Sequence, residues 1–513
     1  MELITLNKSR YSFNENTLFC VLSVIVFCAV FTICATTSPL FAFCEESHCF
    51  FSVGKAILHG RVLYRDILEQ KGLLIYLIQI PAYLISRTTF LGVWIIQTIL
   101  MAITAFFGYK TALETKLSPL FSFLSVAVFS LIAFTSYSIS SSQIVELYAL
   151  PCFTVSIYSV YKYLGKRNDM PLKTLFLNGI LAGIIFWMKY SLLGFYFAMM
   201  VVICIRSLCK KDFFKAIKNA IAFLLGMIAV SVPCVLYFAV NNSLGELVKY
   251  YFINNVSEYG EKITLSGLLS SYEWSFFHQY DLSKVMFVAI IISAVLILFC
   301  KVPVSLKIMF YSCLIVQFGT VYLHGAMMSY YFFAFASFAL IGILAFFSVI
   351  QKLSGKICLK AGLRKICLAL CILAAFAGSV YIGINNQPRP ARFLEKPDRL
   401  AQYQFAEYMH QKYKLPTLLD FNELDGGFYT VADITPTTWA YCALNWNNPQ
   451  MDKDRLETVK NKKVDFVVLR VKGSVTFNTT DWPNELTDNY AVAKRIEQYR
   501  VDDLYTYFLL EKE

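Results

Sequence analysis

Ionisable side chains are densest in one stretch near the N-terminus, between two long apolar runs. Within 27 residues the chain places Glu45, Glu46, His48, Lys55, His59, Arg61, Arg65, Asp66, Glu69 and Lys71. Carboxylates and cations brought together could act on a phosphate ester, because a carboxylate takes the proton of an attacking hydroxyl and cations stabilise the leaving phosphate. A solvated loop whose charged side chains reach water from a membrane surface is the alternative, and spacing alone favours neither.

Further candidate residues stand beside apolar runs. Glu146 opens one such run, where the helix dipole would favour an acid and where a carboxylate could also line a cavity. Lys189 lies on a short link between two runs, and we interpret it as a ligand for an anionic headgroup rather than a lysine that extends to water. His324 lies between two runs, and Tyr330 and Tyr331 open the second, at positions typical of an interfacial histidine and of aromatic-belt residues.

The elements that must position these groups are membrane helices. Of 513 residues, 57% are apolar and 16% are charged, and the mean hydropathy is +0.56. The net charge of +12 comes from basic links between apolar runs, so it indicates membrane orientation rather than nucleic-acid binding. A helix crosses a bilayer with ~20 apolar residues. The sequence predicts about eleven spans: Leu18–Thr36, Leu91–Tyr109, Pro119–Tyr137, Leu147–Tyr163, Thr174–Met188, Leu192–Ile205, Ala220–Val240, Val285–Cys300, Ile308–Leu323, Tyr330–Ile350 and Ile366–Ile384.

Basic residues predict the orientation of these spans. With the N-terminus inside, six inner segments hold 20 Lys and Arg residues, and the short outer links hold Lys189 alone. Leu73–Ile85 is not counted because its 13 residues, which include Pro81, are too few to span, so it is predicted to be interfacial or re-entrant. Before it, Phe50–Gly60 has the apolar spacing of an amphipathic helix that lies in the interface. The protein is thus expected in the cell (inner) membrane with a cytoplasmic N-terminus.

Three large segments then face outward, and the last forms a domain. They are Phe41–Phe90, Asn241–Lys284 and Asn385–Glu513. The predicted fold class is mainly α: a polytopic helical bundle of residues 1–384 with a small extracytoplasmic α/β domain of residues 385–513. That domain is expected to contain helices Pro397–Tyr413 and Asp452–Lys460 and strands Thr417–Phe421, Val464–Val471 and Leu504–Leu510. Neither a GxGxxG nor a P-loop motif indicates a nucleotide site.

The first outer segment resembles a known family. Glu46, followed by a helix with Gly54 and Gly60, then Tyr64-Arg65-Asp66 and Lys71-Gly72, is similar to the first loop of bacterial protein O-mannosyltransferase-like enzymes of the GT-C superfamily. Weaker matches are Glu146 before Pro151, Gly179 and Gly183 before Lys189, and His324 before Tyr331. The sequence departs from the family at Glu46, Gln70 and Leu73, where Asp, His and Pro are usual.

The resemblance implies an activity and roles for these residues. It implies inverting transfer of a sugar from a polyprenyl-phosphate donor to a lipid or glycan acceptor of the cell envelope, at the outer membrane face. Glu46, with Glu45 as its competitor, would be the base, and Asp66 would orient the acceptor or the base. Substrate contacts are expected from Arg65, Lys71, Glu146, Lys189, His324 and Tyr331, with Lys71 and Lys189 neutralising the phosphate.

Two other functions and one chemical requirement stay open. A transporter or flippase of lipid-linked glycans would favour charges deep in the spans and repeated halves. A membrane scaffold or sensor would leave the charged first segment unexplained. No cofactor is expected; a divalent metal is possible, but no CxxC pair or Cys/His spacing of a zinc site is present. Partners are expected to be the donor, the acceptor and membrane lipids, not nucleic acid.

The orientation can be tested with reporter fusions. Fusions that end at Lys356 and at Glu513 fall on opposite sides of the predicted last span. We therefore expect a cytoplasmic reporter to be active at the first site only, and an extracytoplasmic reporter at the second only. The same signal from both fusions would contradict the predicted topology.

Overall fold

A computed structural model of the protein describes residues 20–28, 41, 44–134, 143–257, 264–323, 328–354, 361–386, 399–445, 448–500 and 503–513. The helices are α1 (20–28), α2 (Glu45–Leu58), α3 (Leu73–Leu77), α4 (Gln79–Ile85), α5 (Leu91–Glu114), α6 (Pro119–Phe134), α7 (Val145–Tyr163), α8 (Leu172–Phe186), α9 (Gly194–Cys209), α10 (Phe213–Val240), α11 (Leu244–Glu246), α12 (Asn254–Ser257), α13 (Leu265–Leu282), α14 (Lys284–Phe299), α15 (Val304–Val321), α16 (Ala336–Ser354), α17 (Ala361–Asn386), α18 (Ala401–Lys412), α19 (Phe428–Val431), α20 (Pro449–Lys460) and α21 (Asn484–Thr487). Short 3-10 turns, Tyr190–Leu193 and Ser329–Phe335, precede α9 and α16.

Helices occupy the predicted spans over their described residues. Within the described ranges, five segments are long and apolar enough to cross a membrane: Leu91–Glu114, Tyr190–Cys209, Phe213–Val240, Val304–Val321 and Tyr330–Leu353. Shorter apolar helices include Pro119–Ala133, Leu172–Phe186 and Lys284–Phe299. The prediction of a multi-pass helical bundle is confirmed, and the total of eleven spans stays a prediction.

Glycines bring α8 and α10 into close contact. A Cβ atom on Gly179 would collide with the carbonyl oxygen of Phe223, and one on Gly226 would collide with that of Phe176. Small residues let membrane helices approach until their backbones touch. Because α8 ends just before Lys189, this packing determines where that lysine lies.

The segment Leu73–Ile85 forms two short helices, α3 and α4, that meet at Ile78. Thirteen helical residues rise ~20 Å, which is less than the ~30 Å of a hydrocarbon core. Both helices pack against α2, and α4 also packs against α5. The structure thus agrees with leaving this segment out of the spans.

The C-terminal domain is built on a four-stranded sheet with the order β1-β2-β4-β3. The strands are β1 (Leu418–Asp420), β2 (Phe466–Lys472), β3 (Tyr490–Arg500) and β4 (Asp503–Lys512), and only β1 and β2 are parallel. The predicted helices are present as α18 and α20, and the three predicted strands as β1, β2 and β4. The sequence analysis missed β3 because this edge strand is largely exposed and carries the charged residues Lys494, Arg495 and Glu497. The domain boundary at residue 384 stays a prediction.

Polar residues at helical spacing on α2 face the C-terminal domain. The contacts are His48 Nδ1 to Thr430 Oγ1 at 2.9 Å, Ser52 Oγ to Asp425 Oδ2 at 2.6 Å, and Lys55 Nζ to the Tyr429 carbonyl oxygen at 2.7 Å. His48, Ser52 and Lys55 are fully buried. The predicted amphipathic helix is therefore present, and its polar face lies against protein rather than water.

The glycine packing can be tested with a matched pair of variants. Gly179→Ala introduces a methyl group where the backbone of α10 leaves no space, whereas Gly378→Ala, in the apolar helix α17, meets nothing within 4 Å. We expect Gly179→Ala to lower the yield and melting temperature of purified protein, because α8 must move away from α10. Gly378→Ala is expected to match the wild type, and equal effects of the two changes would contradict the packing.

Candidate active site

Backbone hydrogen bonds hold the Lys71–Leu74 segment against the turn that follows α8. The Gly72 amide donates to the Met188 carbonyl oxygen at 3.0 Å, and the Leu74 amide donates to that of Trp187 at 3.0 Å. A Cβ atom on residue 72 would collide with the Trp187 carbonyl oxygen, so only glycine permits this approach. Lys71 and Lys189 stand directly beside the joined residues.

A buried carboxylate shapes the chain before Lys71. The Glu69 side chain is 6% exposed and accepts backbone N–H bonds from Gln70 at 2.8 Å and Lys71 at 3.3 Å. It also accepts the hydroxyl of Tyr76. These bonds fix the turn that presents Lys71, so Glu69 positions that lysine. Glu69 is not among the predicted site residues, and the one sequence feature that indicates it is its place in the charged stretch of residues 45–71.

The two lysines line one cleft of about 420 Å³. Its lining residues are Gln70, Lys71, Met188, Lys189, Tyr190, Ser191, Tyr251, Asn255, Val321 and Tyr331. The Asn255 side chain closes one side by donating to the Gln70 carbonyl oxygen at 2.8 Å. Cations, hydroxyls and aromatic faces thus surround a space next to the apolar bundle.

Lys189 is held by a buried ion pair at this cleft. Its Nζ lies 2.6 Å from Glu146 Oε1, and the side chains of Lys189 and Glu146 are 11% and 0% exposed. The same ammonium lies 3.7 Å from the ring centre of Tyr331, within cation–π range. An ammonium has three N–H donors, and Glu146 accepts one of those of Lys189. Glu146 therefore orients the lysine.

The Glu46 carboxyl interacts electrostatically with Lys71, Glu146 and Lys189. Burial raises the pKa of Glu46 and Glu146 adds to this effect, whereas Lys71, a hydrogen bond with Tyr330, and Lys189 act in the opposite direction. A carboxylate with a raised pKa is a stronger base than one in water. Tyr330, which sequence reasoning treated only as an interfacial aromatic residue, is thus a partner of the candidate base.

Three predicted residues lie elsewhere in contacts of their own. Glu45 forms an ion pair with Arg470 of the C-terminal domain, with Oε1 3.1 Å from the guanidinium. Asp66 pairs with its neighbour Arg65 at 2.9 Å, accepts the Val62 amide at 2.9 Å, and has its pKa lowered chiefly by Arg65.

These placements leave five predicted residues around the cleft: Glu46, Lys71, Glu146, Lys189 and Tyr331. Neither Asp66 nor Arg65 lines it, and Glu45 points to the C-terminal domain. His324 falls outside the described residues. Within the described ranges, no three His, Cys, Asp or Glu side chains gather as a metal ion would need. The expectation that no cofactor is required stays a prediction.

Comparison with solved structures identifies the fold. The chain aligns with the crystal structure of ArnT from Cupriavidus metallidurans bound to undecaprenyl phosphate over 96% of its own length and 98% of that chain, at 11% identity and a TM-score of 0.56. For the apo state of ArnT the values are 97%, 98%, 12% and 0.58. Sequence comparison matches the chain to no protein family and to no curated protein.

The chain has the ArnT fold. This likeness confirms the predicted fold class, a multi-pass helical bundle with a small α/β domain. At such low identity it shows the fold and leaves the residue roles to the geometry of the cleft.

The buried ion pair can be tested with a double variant. Lys189→Met leaves the Glu146 carboxylate buried without its cation, which typically costs ~3–5 kcal/mol. We expect a lower melting temperature in detergent, and recovery of most of the loss when Glu146→Leu removes the remaining charge. Lys210→Met is the control, because Lys210 pairs with Asp169 at 2.7 Å where both side chains are exposed by 30% or more, and such pairs contribute ~0–1 kcal/mol. A double variant less stable than Lys189→Met would contradict the pairing.

Proposed function

We propose that the protein transfers a sugar from a polyprenyl-phosphate-linked donor to a lipid or glycan acceptor of the cell envelope. The reaction takes place at the outer face of the inner membrane, with the N-terminus cytoplasmic and the C-terminal domain outside. The observation that carries the proposal is the cleft in which Lys71 and Lys189, from two distant elements, stand beside a desolvated carboxyl, Glu46.

The lysines suit a phosphate leaving group. When a hydroxyl attacks the anomeric carbon, negative charge develops on the departing polyprenyl phosphate, and two preorganised ammonium groups stabilise it. Tyr190 and Tyr251 line the same cleft and add hydroxyl groups to it. With a leaving group of this kind, the reaction requires neither a nucleotide nor a metal.

The structural likeness supports a lipid-linked substrate. One of the two ArnT structures is described as bound to undecaprenyl phosphate, and the present chain has the same fold over nearly its whole length. Here the cleft adjoins the apolar helices α8 and α15 through Met188 and Val321, so a polyprenyl chain could lie along the bundle while its phosphate meets the lysines.

Glu46 is the proposed base. Inversion requires that the acceptor attacks from the side opposite the phosphate, with a base beside it. Glu46 lies in the first turn of α2, shares its surroundings with Lys71 and has a raised pKa, whereas Glu45 pairs with Arg470. Asp66 and Arg65 act indirectly on this account, because their ion pair holds the loop that leads from α2 to Lys71.

The assay follows a labelled sugar from a polyprenyl-phosphate donor into envelope lipid and glycan extracts. Glu46→Gln keeps the size of the side chain and removes its basicity, so we expect transfer to fall by ~10²–10⁴-fold. Binding of polyprenyl phosphate is expected to persist. Glu45→Gln, one residue away, is the matched control and is expected to be milder, since it weakens a contact with Arg470 of the C-terminal domain.

The pH dependence gives a second measurement of the same prediction. The base works when deprotonated and burial raises the pKa of Glu46, so the wild-type rate is expected to climb with pH through a midpoint above the usual carboxyl pKa of ~4.3. The Glu46→Gln variant is expected to lose this acid limb. If Glu46→Gln kept full activity and Glu45→Gln lost it, Glu45 would be the base. If neither change lowered the rate, the carboxylate mechanism would be refuted.

A further inference from the structure

A second, larger cavity lies at the other end of the bundle. It is open to solvent, measures about 1550 Å³ with its mouth included, and lies between the end of α5, the end of α7, the link from α14 to α15, and the last turns of α16. Glu146 lies in the first turn of α7, at the cleft, and Lys166 lies just after the end of this helix, at the cavity. The 19 residues of α7 separate the two sites by ~28 Å at the helical rise of 1.5 Å per residue.

The rim of this cavity is basic. Lys116, Lys166, Lys301 and Lys352 line it, against the single carboxylate of Glu114, which pairs with Lys166 at 2.7 Å. Within the described ranges, Lys301 and Lys352 form no ion pair, and both are exposed. The rim therefore presents uncompensated positive charge around an opening.

The inner part of the cavity is apolar. It is lined by Ile297, Leu306, Ile341 and Leu344, all of which belong to the buried core of the bundle. A basic rim around an apolar inner wall matches a molecule with an anionic head and a hydrocarbon tail. A water-soluble anion would leave the apolar part unfilled, and a neutral lipid would leave the lysines without partners.

We propose that this cavity binds an anionic phospholipid, with the phosphate at Lys301 and Lys352 and an acyl chain along Ile297 and Ile341. Basic residues near helix ends are expected from membrane orientation alone, but orientation does not require a cavity between them. The chain that follows α16 is not a suitable occupant, because Lys356, Lys360, Arg364 and Lys365 add further positive charge. The site is distinct from the sugar-transfer cleft and does not depend on the proposed function.

Binding is measured by native mass spectrometry of delipidated full-length protein titrated with phosphatidylglycerol. The test variant is Lys301→Gln with Lys352→Gln, and the matched control is Lys173→Gln with Lys211→Gln, two exposed lysines that do not line the cavity. Each lysine near an anionic lipid surface contributes ~1 kcal/mol, so we expect the test variant to bind at least ~10-fold more weakly. The control is expected to change less than ~2-fold.

Further probes separate the possible ligands. Phosphatidylcholine and glycerol 3-phosphate are expected to bind much more weakly than phosphatidylglycerol, because the first has no net negative charge and the second has no acyl chain. If the test and control variants lost the same affinity, the effect would come from general surface charge, and the proposed site would be wrong. If glycerol 3-phosphate bound as tightly as phosphatidylglycerol, the cavity would be a site for free phosphate esters, and the proposed lipid ligand would be wrong. Elution profiles of both variants verify folding.

Discussion

Contact between the backbone of Gly72 and the turn at Trp187 is the constraint on which the cleft depends. Any side chain at residue 72 would occupy the space of the Trp187 carbonyl oxygen, and the two backbone hydrogen bonds hold the Lys71–Leu74 segment against this turn. The turn itself is placed by the glycine contact of α8 with α10. Two close backbone approaches thus bring Lys71 to Lys189.

The C-terminal domain contributes to this site by holding α2. Its Arg470 side chain is 3% exposed and pairs with Glu45, the residue that precedes the proposed base. Trp439 adds a second anchor, because its indole N–H donates to the Tyr64 carbonyl oxygen at 2.8 Å and its own carbonyl oxygen accepts the Leu68 amide at 2.9 Å. The C-terminal domain therefore holds the start of α2, which carries Glu46, and the loop that leads to Lys71.

Sequence patterns predicted the parts of this structure that depend on local chemistry. Apolar runs gave the positions of the helices because a bilayer demands them, and the resemblance of the first loop singled out Glu46 and Lys71. Contacts between distant residues left no local trace. Arg470 lies 425 residues from Glu45 in the sequence. The residue pattern of β2 indicates a charge at a buried position, but it does not identify the partner of that charge. The roles of Asp66 and Arg65 follow from the resemblance and stay predictions; in the structure the two side chains pair with each other.

A structure of the protein with a bound polyprenyl phosphate tests the central claim most directly. The account predicts the phosphate in the cleft, with oxygens ~2.7–2.9 Å from the ammonium groups of both Lys71 and Lys189 and the Glu46 carboxyl beside the space that the sugar would occupy. A phosphate bound away from both lysines, with the cleft unchanged, would contradict the assignment of this cleft as the site of sugar transfer.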